Sequence, residues 1–240
     1  MPNWVRNVAI FNGTKEQIQE LEEFCANMDF NKIRPMPSTL DIEASSQTKY
    51  AVAAYVYFVL KDPKKLSKIP NRFYNYSPEN ILLEIHKLDV LGEVSPTAPF
   101  GEESEDISYL FSCKPPKCRA DFILLGKIGW ENLEDYGAID WHDWRGINWG
   151  TKSNACERSF DSNPSRTSIL YRFDTAWSAP IGIIEEIFKH IEGTDIAMIW
   201  DYADEDIGRN CGRLRKDFDS HQLVSSEEES TEFAKKVWSS

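Results

Sequence analysis

Alternating and helical patterns of apolar residues predict a strand, a helix and a second strand at the start of the chain. Trp4 to Phe11 is rich in strand-forming residues and ends at Asn12-Gly13, a pair typical of turns. Thr14 begins a capping box, and the helical spacing of the apolar residues that follow predicts a helix from Lys15 to Cys25. The next stretch, Asp29 to Met36, is predicted to be extended. These residues together predict a β-α-β unit.

The same order of elements returns in the second half of the chain. Ala155 to Phe160 and Thr167 to Asp174 are predicted to pair as a hairpin, because a turn-rich segment separates them. Ser178-Ala179-Pro180 is predicted to start a helix with an isoleucine-rich stripe. Ile196 to Tyr202 then alternates strictly between apolar and other residues, which predicts a long strand. This is a second β-α-β unit.

The pattern between these two units is helical. Tyr50 to Lys61 is apolar all round, as in a buried helix. Ser77 is predicted to cap a second helix, and Ala120 to Tyr136 is predicted to form a third. Val94 to Lys117 holds four prolines and the acidic run Glu102 to Asp106, so it is predicted to be a long loop.

Two β-α-β units, each with one amphipathic helix, predict an α+β protein. The expected fold is a ferredoxin-like split β-α-β antiparallel sheet with a large helical insertion, in which residues 1–37 and 155–216 share one sheet. The predicted domains are a ferredoxin-like domain of residues 1–37 and 138–222, a helical lobe of residues 38–137 and an acidic C-terminal tail of residues 223–240. The tail is expected to be frayed, except for a short helix from Phe233 to Trp238.

Composition narrows the possible functions. The chain has 240 residues, 41% of them hydrophobic, which is enough for a sizeable core. Its net charge of −12 argues against general nucleic-acid binding, which needs a basic face. The longest apolar run, Tyr50 to Leu60, is too short to cross a bilayer. Five dispersed cysteines and the lack of a secretory signal predict a cytoplasmic protein that binds no membrane.

The stretch from Tyr136 to Trp177 is the centre of the predicted architecture. It holds four of the eight tryptophans among glycines and asparagines, a mixture that indicates irregular backbone between two regular regions. Trp149 and Trp177 are predicted to be largely buried at the joint between the sheet and the helical lobe. Trp177 precedes a helix start, where an apolar residue can staple the entry of the chain.

Several short motifs, in this order, resemble one family. They are MPNWVRN, DFNKIRPMP, WGTK with a nearby Asn-Ala, FDTAWSAP and DYADEDIGRNCG. The chain is thereby similar to phage- and plasmid-borne proteins of unknown function with a YubB-type ferredoxin-like domain, over about 110 residues at its two ends. Ser153 and Ala179 depart from the family pattern in the central turn. The resemblance implies a mobile-element context in a bacterial host cell, and it carries no established activity.

Three groups of polar residues are candidate sites. Asp201 to Asp206 crowds four carboxylates, which could hold Mg²⁺, although a solvated strand end is favoured. Asp140, His142 and Asp143 could be metal ligands, and Cys113 with Cys118 resembles half of a zinc site, but both patterns are weak. The basic residues Arg209 to Lys216 could touch phosphates or pair internally with the preceding carboxylates.

No complete catalytic constellation is found, so we expect a non-catalytic binding protein whose partner is a host or defence protein, with no cofactor and no metal. The alternatives are an enzyme or nucleotide-binding protein with its site between sheet and lobe, and an acidic mimic of nucleic acid. The oligomeric state is left open. The predicted binding residues are Trp149, Thr151, Lys152, Asn154, Asp174, Trp177, Tyr202, Asp204, Glu205 and Asp206.

Overall fold

The computed structural model describes residues 3–70, 75–91, 110–111, 116, 119–216, 224–227 and 231–240. The chain divides into two compact units. We call them the sheet unit, Met1–Pro35 with Arg145–Ser240, and the helical unit, Met36–Trp144. Most of the predicted long loop lies outside the described residues, as do its acidic run and both cysteines of the half zinc site.

The secondary structure alternates between the two units along the chain. The strands are β1 Trp4–Asn12, β2 Cys156–Ser162, β3 Ser168–Ala176, β4 Ala197–Asp204, β5 Cys211–Lys216 and β6 Val224–Glu227. The helices are α1 Lys15–Cys25, α2 Phe30–Ile33, α3 Ser46–Ala54, α4 Pro78–Leu91, α5 Arg119–Tyr136, α6 Trp141–Asn148, α7 Ile181–Ile191 and α8 Thr231–Trp238. No helix in the described ranges is long and apolar enough to cross a membrane.

Among the described residues, six strands form one antiparallel sheet in the order β2-β3-β1-β4-β5-β6. The first four strands, with α1 after β1 and α7 after β3, have the β-α-β-β-α-β order of a ferredoxin-like fold. Strands β5 and β6 extend this sheet on one side. The predicted α+β class and the single sheet built from both ends of the chain are therefore confirmed.

The predicted strand from Asp29 to Met36 was wrong. Asp29 caps the short helix α2 by accepting a hydrogen bond from the backbone N–H of Asn31 at 3.2 Å. Phe30 and Ile33 are buried in this turn of helix. The strand that follows α1 in the ferredoxin-like order is instead β2, on the far side of the insertion.

The two faces of the sheet are covered differently. Val5, Ala9 and Phe11 alternate along β1 and are buried on one face. Helices α1 and α7 are neighbours, because the Phe24 ring of α1 stacks on the His190 ring of α7 with centroids 3.8 Å apart. On the other face, a separate apolar cluster joins β1, β4, β5 and α8; it contains Val8, Ala203, Cys211, Phe233, Ala234 and Val237.

In its described residues, 224–227 and 231–240, the C-terminal tail is not frayed as predicted. Strand β6 pairs with β5, and the predicted short helix exists as α8. Phe233, Ala234 and Val237 lie on one side of α8 and are buried, which is the spacing expected of a helix packed along one stripe. The burial of this stripe explains why α8 stays on the sheet.

The helical unit has its own apolar core around α3 and α5. At Gly126 of α5 an added Cβ would lie 2.1 Å from the carbonyl oxygen of Ala51, so these helices meet backbone to backbone. The predicted helix from Tyr50 to Lys61 is α3 followed by a π-helical turn, Tyr55–Val59. Helix α6 was missed, because a stretch of tryptophan, glycine and asparagine was interpreted as irregular backbone.

Tyr171 of β3 offers a test of how a buried polar group affects stability. The side chain is buried, and its hydroxyl makes no hydrogen bond to any residue that the structure describes. An unsatisfied buried hydroxyl keeps its desolvation cost, so Tyr171→Phe is expected to leave the free energy of unfolding unchanged or raise it by about 1 kcal/mol. Urea unfolding at pH 7 measures this change. A loss of more than about 1 kcal/mol would mean that the hydroxyl has a partner.

The same substitution is expected to change stability in alkali. Burial raises the pKa of Tyr171, and burial also raises the pKa of the Cys25 thiol. The unfolded chain loses these protons at lower pH than the folded chain. The contribution of the two groups to the free energy of unfolding is therefore fully present below about pH 9 and falls above it. Each group contributes a slope of about 1.4 kcal/mol per pH unit once its unfolded form titrates. Tyr171→Phe is expected to reduce the slope above about pH 10, measured by urea unfolding at stepped pH.

Candidate functional site

One end of the sheet brings three chain segments together. Strand β1 begins there, while its antiparallel neighbours β3 and β4 both end there. Trp4 is paired with Ala176, and Val5 is paired with Asp204. The loops that follow β3 and β4 therefore start side by side, and most of the predicted binding residues lie in or next to them.

The turn after α6 is a packed structural element. Trp149 is 1% exposed, and its Nε1 donates to the carbonyl oxygen of Arg34 at 2.9 Å. Thr151 is also buried and donates its hydroxyl to the carbonyl oxygen of Ala176 at 2.8 Å. Gly150 has φ +82°, and a Cβ there would lie 2.7 Å from the backbone nitrogen of Ile181. The predicted burial of Trp149 is confirmed.

Asn154 connects this region to α2. Its Oδ1 accepts from the backbone N–H groups of Phe30 and Ala155, both at 2.9 Å. Its Nδ2 donates to the Asp29 carboxylate at 2.8 Å. The side chain thus fixes the start of α2, and its hydrogen-bonding groups are used inside the protein.

Trp177 is not buried, and the prediction for it was wrong. The side chain is 62% exposed, and the backbone has φ +75°. Its N–H donates to the carbonyl oxygen of Asn3 at 2.8 Å, and its own carbonyl accepts from Asn210 Nδ2 at 3.3 Å. The left-handed backbone turns the chain at the end of β3, where Ala176 takes the last buried position. The expected staple of the helix start is therefore not formed by this ring.

Lys152 lies against the exposed tryptophan. Its Nζ is 4.7 Å from the centroid of the Trp177 ring, a distance at which a cation–π attraction contributes about 0.5–1 kcal/mol at an exposed site. The sequence named both residues as binding candidates but could not show that they touch. Their contact restricts the orientation of an otherwise exposed ring.

Asp204 holds the turn after β4. The side chain is buried; its Oδ1 accepts from the N–H of Asp206 at 2.8 Å, and its Oδ2 accepts from Asn210 Nδ2 at 3.2 Å. The N–H of Glu205 donates to the carbonyl oxygen of Trp4 at 2.9 Å. The side chains of Glu205 and Asp206 are exposed. Of the four carboxylates of the acidic cluster, Asp204 is therefore structural, Glu205 and Asp206 are exposed, and Asp201 pairs with Arg213.

Two more candidates lie within the sheet. Asp174 is buried and receives both Nε and Nη2 of Arg6, at 2.5 and 3.1 Å. This bidentate pair uses both carboxylate oxygens. Tyr202 of β4 is partly buried and is paired in the sheet with Asn7.

Three of the four basic residues near the C-terminus, Arg213, Arg215 and Lys216, belong to β5, a strand that the sequence did not reveal, and Arg209 lies in the turn before it. Arg213 makes a bidentate pair with Asp201 at 2.6 and 2.8 Å, and Arg209 lies 3.9 Å from Asp206. Lys216 is buried and donates to the carbonyl oxygens of Thr194 and Ile196, and burial lowers its pKa. Of the two interpretations of this cluster, internal pairing accounts for these contacts.

The other candidate groups are also engaged in structure. Asp140 caps α6 by accepting from the N–H groups of His142 and Asp143, and Lys49 binds the carboxylates of Asp140 and Asp143. Burial, and after it the neighbouring carboxylate of Asp174, raises the pKa of the Cys156 thiol, which disfavours a nucleophilic thiolate. In the part of the chain that the structure describes, no three His, Cys, Asp or Glu side chains form a group able to hold a metal ion.

Several exposed apolar residues lie in chain segments that contact the segment of Trp177. In the described part of the sheet unit, the exposed large apolar residues are Ile147, Phe160, Trp177, Ile181 and Ile207. All but Phe160 belong to segments that contact one another. The Ser178 hydroxyl donates to the Gly150 carbonyl at 2.5 Å, Gly182 abuts the Asn148 carbonyl, and Asn210 reaches the Trp177 carbonyl. We call Ile147, Lys152, Trp177, Ile181 and Ile207 the Trp177 surface.

The sequence did not predict the three isoleucines of the Trp177 surface as site residues. Ile181 was included in the apolar stripe of α7, yet it is exposed at the first position of that helix. Ile147 is 66% exposed on α6. No local spacing marks Ile147 as exposed, because Trp144, three residues before it on α6, is buried.

Comparison with known proteins identifies one domain. Residues 148–238 match the family model of the ferredoxin-like domain in Api92-like protein. The crystal structure of protein api92 from Yersinia pseudotuberculosis is similar over 95% of this chain and 99% of that chain, with 10% sequence identity and a TM-score of 0.42. No curated protein matches the chain.

The matched range contains β2 to β6, α7, α8 and all ten predicted binding residues. The resemblance to a ferredoxin-like family is thereby confirmed at the level of an Api92-like ferredoxin-like domain. The YubB type and the phage or plasmid origin stay predictions.

Proposed function

We propose that this chain is a non-catalytic binding protein of a phage or plasmid and that it recognises a host or defence protein through the Trp177 surface. The observation that carries the proposal is the conformation of Trp177: a large aromatic side chain, 62% exposed, on a left-handed backbone. The mobile-element setting comes from the family resemblance. The two alternative functions have no comparable observation in their favour.

The left-handed backbone of Trp177 costs stability. For a residue with a Cβ this conformation costs about 1–2 kcal/mol, and it persists only where the surroundings impose it. Burial of the ring does not repay this cost, because most of the ring faces solvent. Strained residues cluster at binding and active sites, so the exposed ring supports a role in recognition.

The Trp177 surface has the composition of a protein-binding site. Tryptophan is among the residues most enriched where truncation weakens binding most, because one ring buries a large area at little entropic cost. Ile147, Ile181 and Ile207, in the segments that contact that of Trp177, add further exposed apolar area. Lys152 already restrains the ring, so less freedom is lost on binding.

Replacing Trp177 with glycine is expected to separate function from stability. Glycine adopts φ +75° without strain, so the free energy of unfolding is expected to stay equal or to rise by up to about 1 kcal/mol. Partner binding is expected to weaken by at least about 30-fold, which corresponds to a hot spot of about 2 kcal/mol. The measurements are urea unfolding and capture of proteins from bacterial host lysate on the immobilised chain, quantified by mass spectrometry.

Phe160→Ala is the matched control, because Phe160 is an aromatic residue of the same unit that is 46% exposed and lies on the edge strand β2. A protein captured by the parent and by Phe160→Ala, but lost with Trp177→Gly, would support the proposal. A photo-crosslinking residue placed at position 177 is then expected to attach to the same protein. Equal capture by all three chains would overturn the proposed binding surface.

A further inference from the structure

Helix α8 makes a specific polar contact in addition to its apolar packing. The Nε1 of Trp238, at the last position of the helix, donates to the carbonyl oxygen of Asp204 at 3.0 Å. The Arg6 guanidinium lies 4.7 Å from the centroid of the Trp238 ring and also pairs with Asp174. The end of α8 is thus tied to the residues at which β3 and β4 leave the sheet.

Hydrogen bonds in the turn after β4 connect the end of α8 to Trp177. Asp204, whose carbonyl binds Trp238, also accepts through its carboxylate from Asn210 Nδ2. The same Asn210 Nδ2 donates to the carbonyl oxygen of Trp177 at 3.3 Å. A second route runs through β3, because Asp174, the partner of Arg6, lies three residues before Trp177.

We propose that α8 is a positioning element for the Trp177 surface and that Trp238 is its positioning residue. Docking of Trp238 on Asp204 holds the turn from Asp204 to Asn210, and Asn210 then holds Trp177 in its left-handed conformation. This inference rests on the proposed function for its consequence in binding, but the link from α8 to the turn can be measured without any partner.

The left-handed backbone of Trp177 explains why such support is needed. A strained conformation persists only while neighbouring contacts impose it, and the Asn210 contact is one of two hydrogen bonds from other segments that hold the Trp177 backbone in the described structure. When the turn is released, the backbone can relax and the fraction of molecules ready to bind falls. The apparent dissociation constant rises in inverse proportion to that fraction.

Trp238→Phe tests the link, because it keeps an aromatic ring next to Arg6 and removes the hydrogen bond to Asp204. Amide hydrogen exchange of residues 204–210 and of Trp177 is expected to become about 2- to 10-fold faster, the effect of losing one hydrogen bond. Capture of the Trp177-dependent lysate protein is expected to weaken by a similar factor at a temperature where the variant is fully folded.

Val237→Ala is the matched control on the same helix. Val237 is buried in the apolar cluster under α8, so the control is expected to lower global stability at least as much as Trp238→Phe does. Because it leaves the Trp238 indole in place, it is expected to have less effect on exchange in residues 204–210. If α8 only stabilises the fold, the exchange rates and the capture of both variants will change in proportion to their loss of global stability. That result would overturn the proposal.

Asn210→Ala provides a second test, because it cuts the route between the turn and Trp177. If the route is shared, Asn210→Ala and Trp238→Phe are expected to weaken capture by similar factors. The double variant is then expected to capture the protein as well as the single variant with the lower capture. Fully multiplicative effects would overturn the shared route. Unchanged exchange in Trp238→Phe would overturn the proposal whatever the partner does.

The two proposals can fail separately. If Trp177→Gly leaves capture unchanged, the proposed function fails, and the exchange of residues 204–210 alone decides whether α8 holds the turn. If Trp177→Gly abolishes capture while Trp238→Phe speeds exchange without weakening capture, the binding surface stands and the positioning role of α8 is overturned.

Discussion

Replacing Trp149 with alanine is expected to lower the free energy of unfolding of the sheet unit by about 3–5 kcal/mol, the range for a fully buried tryptophan. The Trp149 ring is buried, and it meets the Phe30 ring edge to face with centroids 5.8 Å apart. The Arg145 guanidinium lies 4.9 Å from the ring centroid. Truncation would open a cavity between these groups and leave the Arg34 carbonyl without its indole donor.

The measurement is urea unfolding followed by circular dichroism, with two comparison variants. Trp149→Phe keeps part of the ring volume and loses the indole N–H, so it is expected to cost less than the alanine variant. Trp177→Ala removes an exposed ring and its contact with Lys152, and it is expected to change stability by no more than about 1 kcal/mol. Equal effects of the two alanine variants would contradict the assignment of Trp149 to the core and Trp177 to the surface.

The sequence predicted elements best where one local pattern was sufficient. Helix α1 was predicted with its observed bounds, Lys15–Cys25, because the Thr14 capping box and the apolar spacing agree. Both hydrogen bonds of that capping box are present. The β2–β3 hairpin was predicted from a turn-rich segment between two runs of strand-forming residues, and β3 has the alternating burial that its sequence suggested.

Elements that depend on tertiary contacts were not predictable in this way. The residues of α2 are compatible with a strand, but their place is decided by Asn154, a residue more than 120 positions later that binds the N–H of Phe30. Strand β5 was not predicted, because its charged residues do not resemble a strand-forming run. Arg213 looks like a surface residue until its partner Asp201 is found directly across the sheet.

The error at Trp177 has a different origin. Its position before a helix and its apolar character both predicted burial, and neither contains information about backbone conformation. A positive φ for a tryptophan cannot be inferred from sequence, because residues with a Cβ rarely adopt it. An expectation based on ordinary preferences fails at such a site, and failures of this kind are expected where function overrides local rules.

The residues that match the family model do not form the whole sheet by themselves. The family match begins at residue 148, yet β1, which lies between β3 and β4 in the centre of the sheet, belongs to residues 4–12. The matched segment therefore needs the N-terminal strand to complete its sheet. The start of β1 also supplies Asn3 and Trp4, whose carbonyls accept from Trp177 and Glu205.

Gly182→Ala is expected to destabilise the sheet unit by about 3 kcal/mol, at the upper end of the cost of overpacking. A Cβ at Gly182 would lie 2.1 Å from the carbonyl oxygen of Asn148 and 2.7 Å from its carbonyl carbon. Both are backbone atoms, so no side-chain rotation can relieve the clash, and the start of α7 must move away from the end of α6. Because Ser178 bonds to Gly150 at this contact, the shift is also expected to displace the Trp177 surface and weaken partner capture.

Gly146→Ala is the matched control for this prediction. Gly146 lies within α6, and among the described residues no atom beyond its chain neighbours and the backbone of its own helix lies within 4 Å of its Cβ position, so alanine is expected to stabilise the helix by about 0.5–1 kcal/mol. Thermal melts of both variants next to the parent are therefore expected to shift in opposite directions. A Gly182→Ala variant that melts with the parent would show that α6 and α7 do not meet at this distance, and the arrangement of the Trp177 surface would have to be revised.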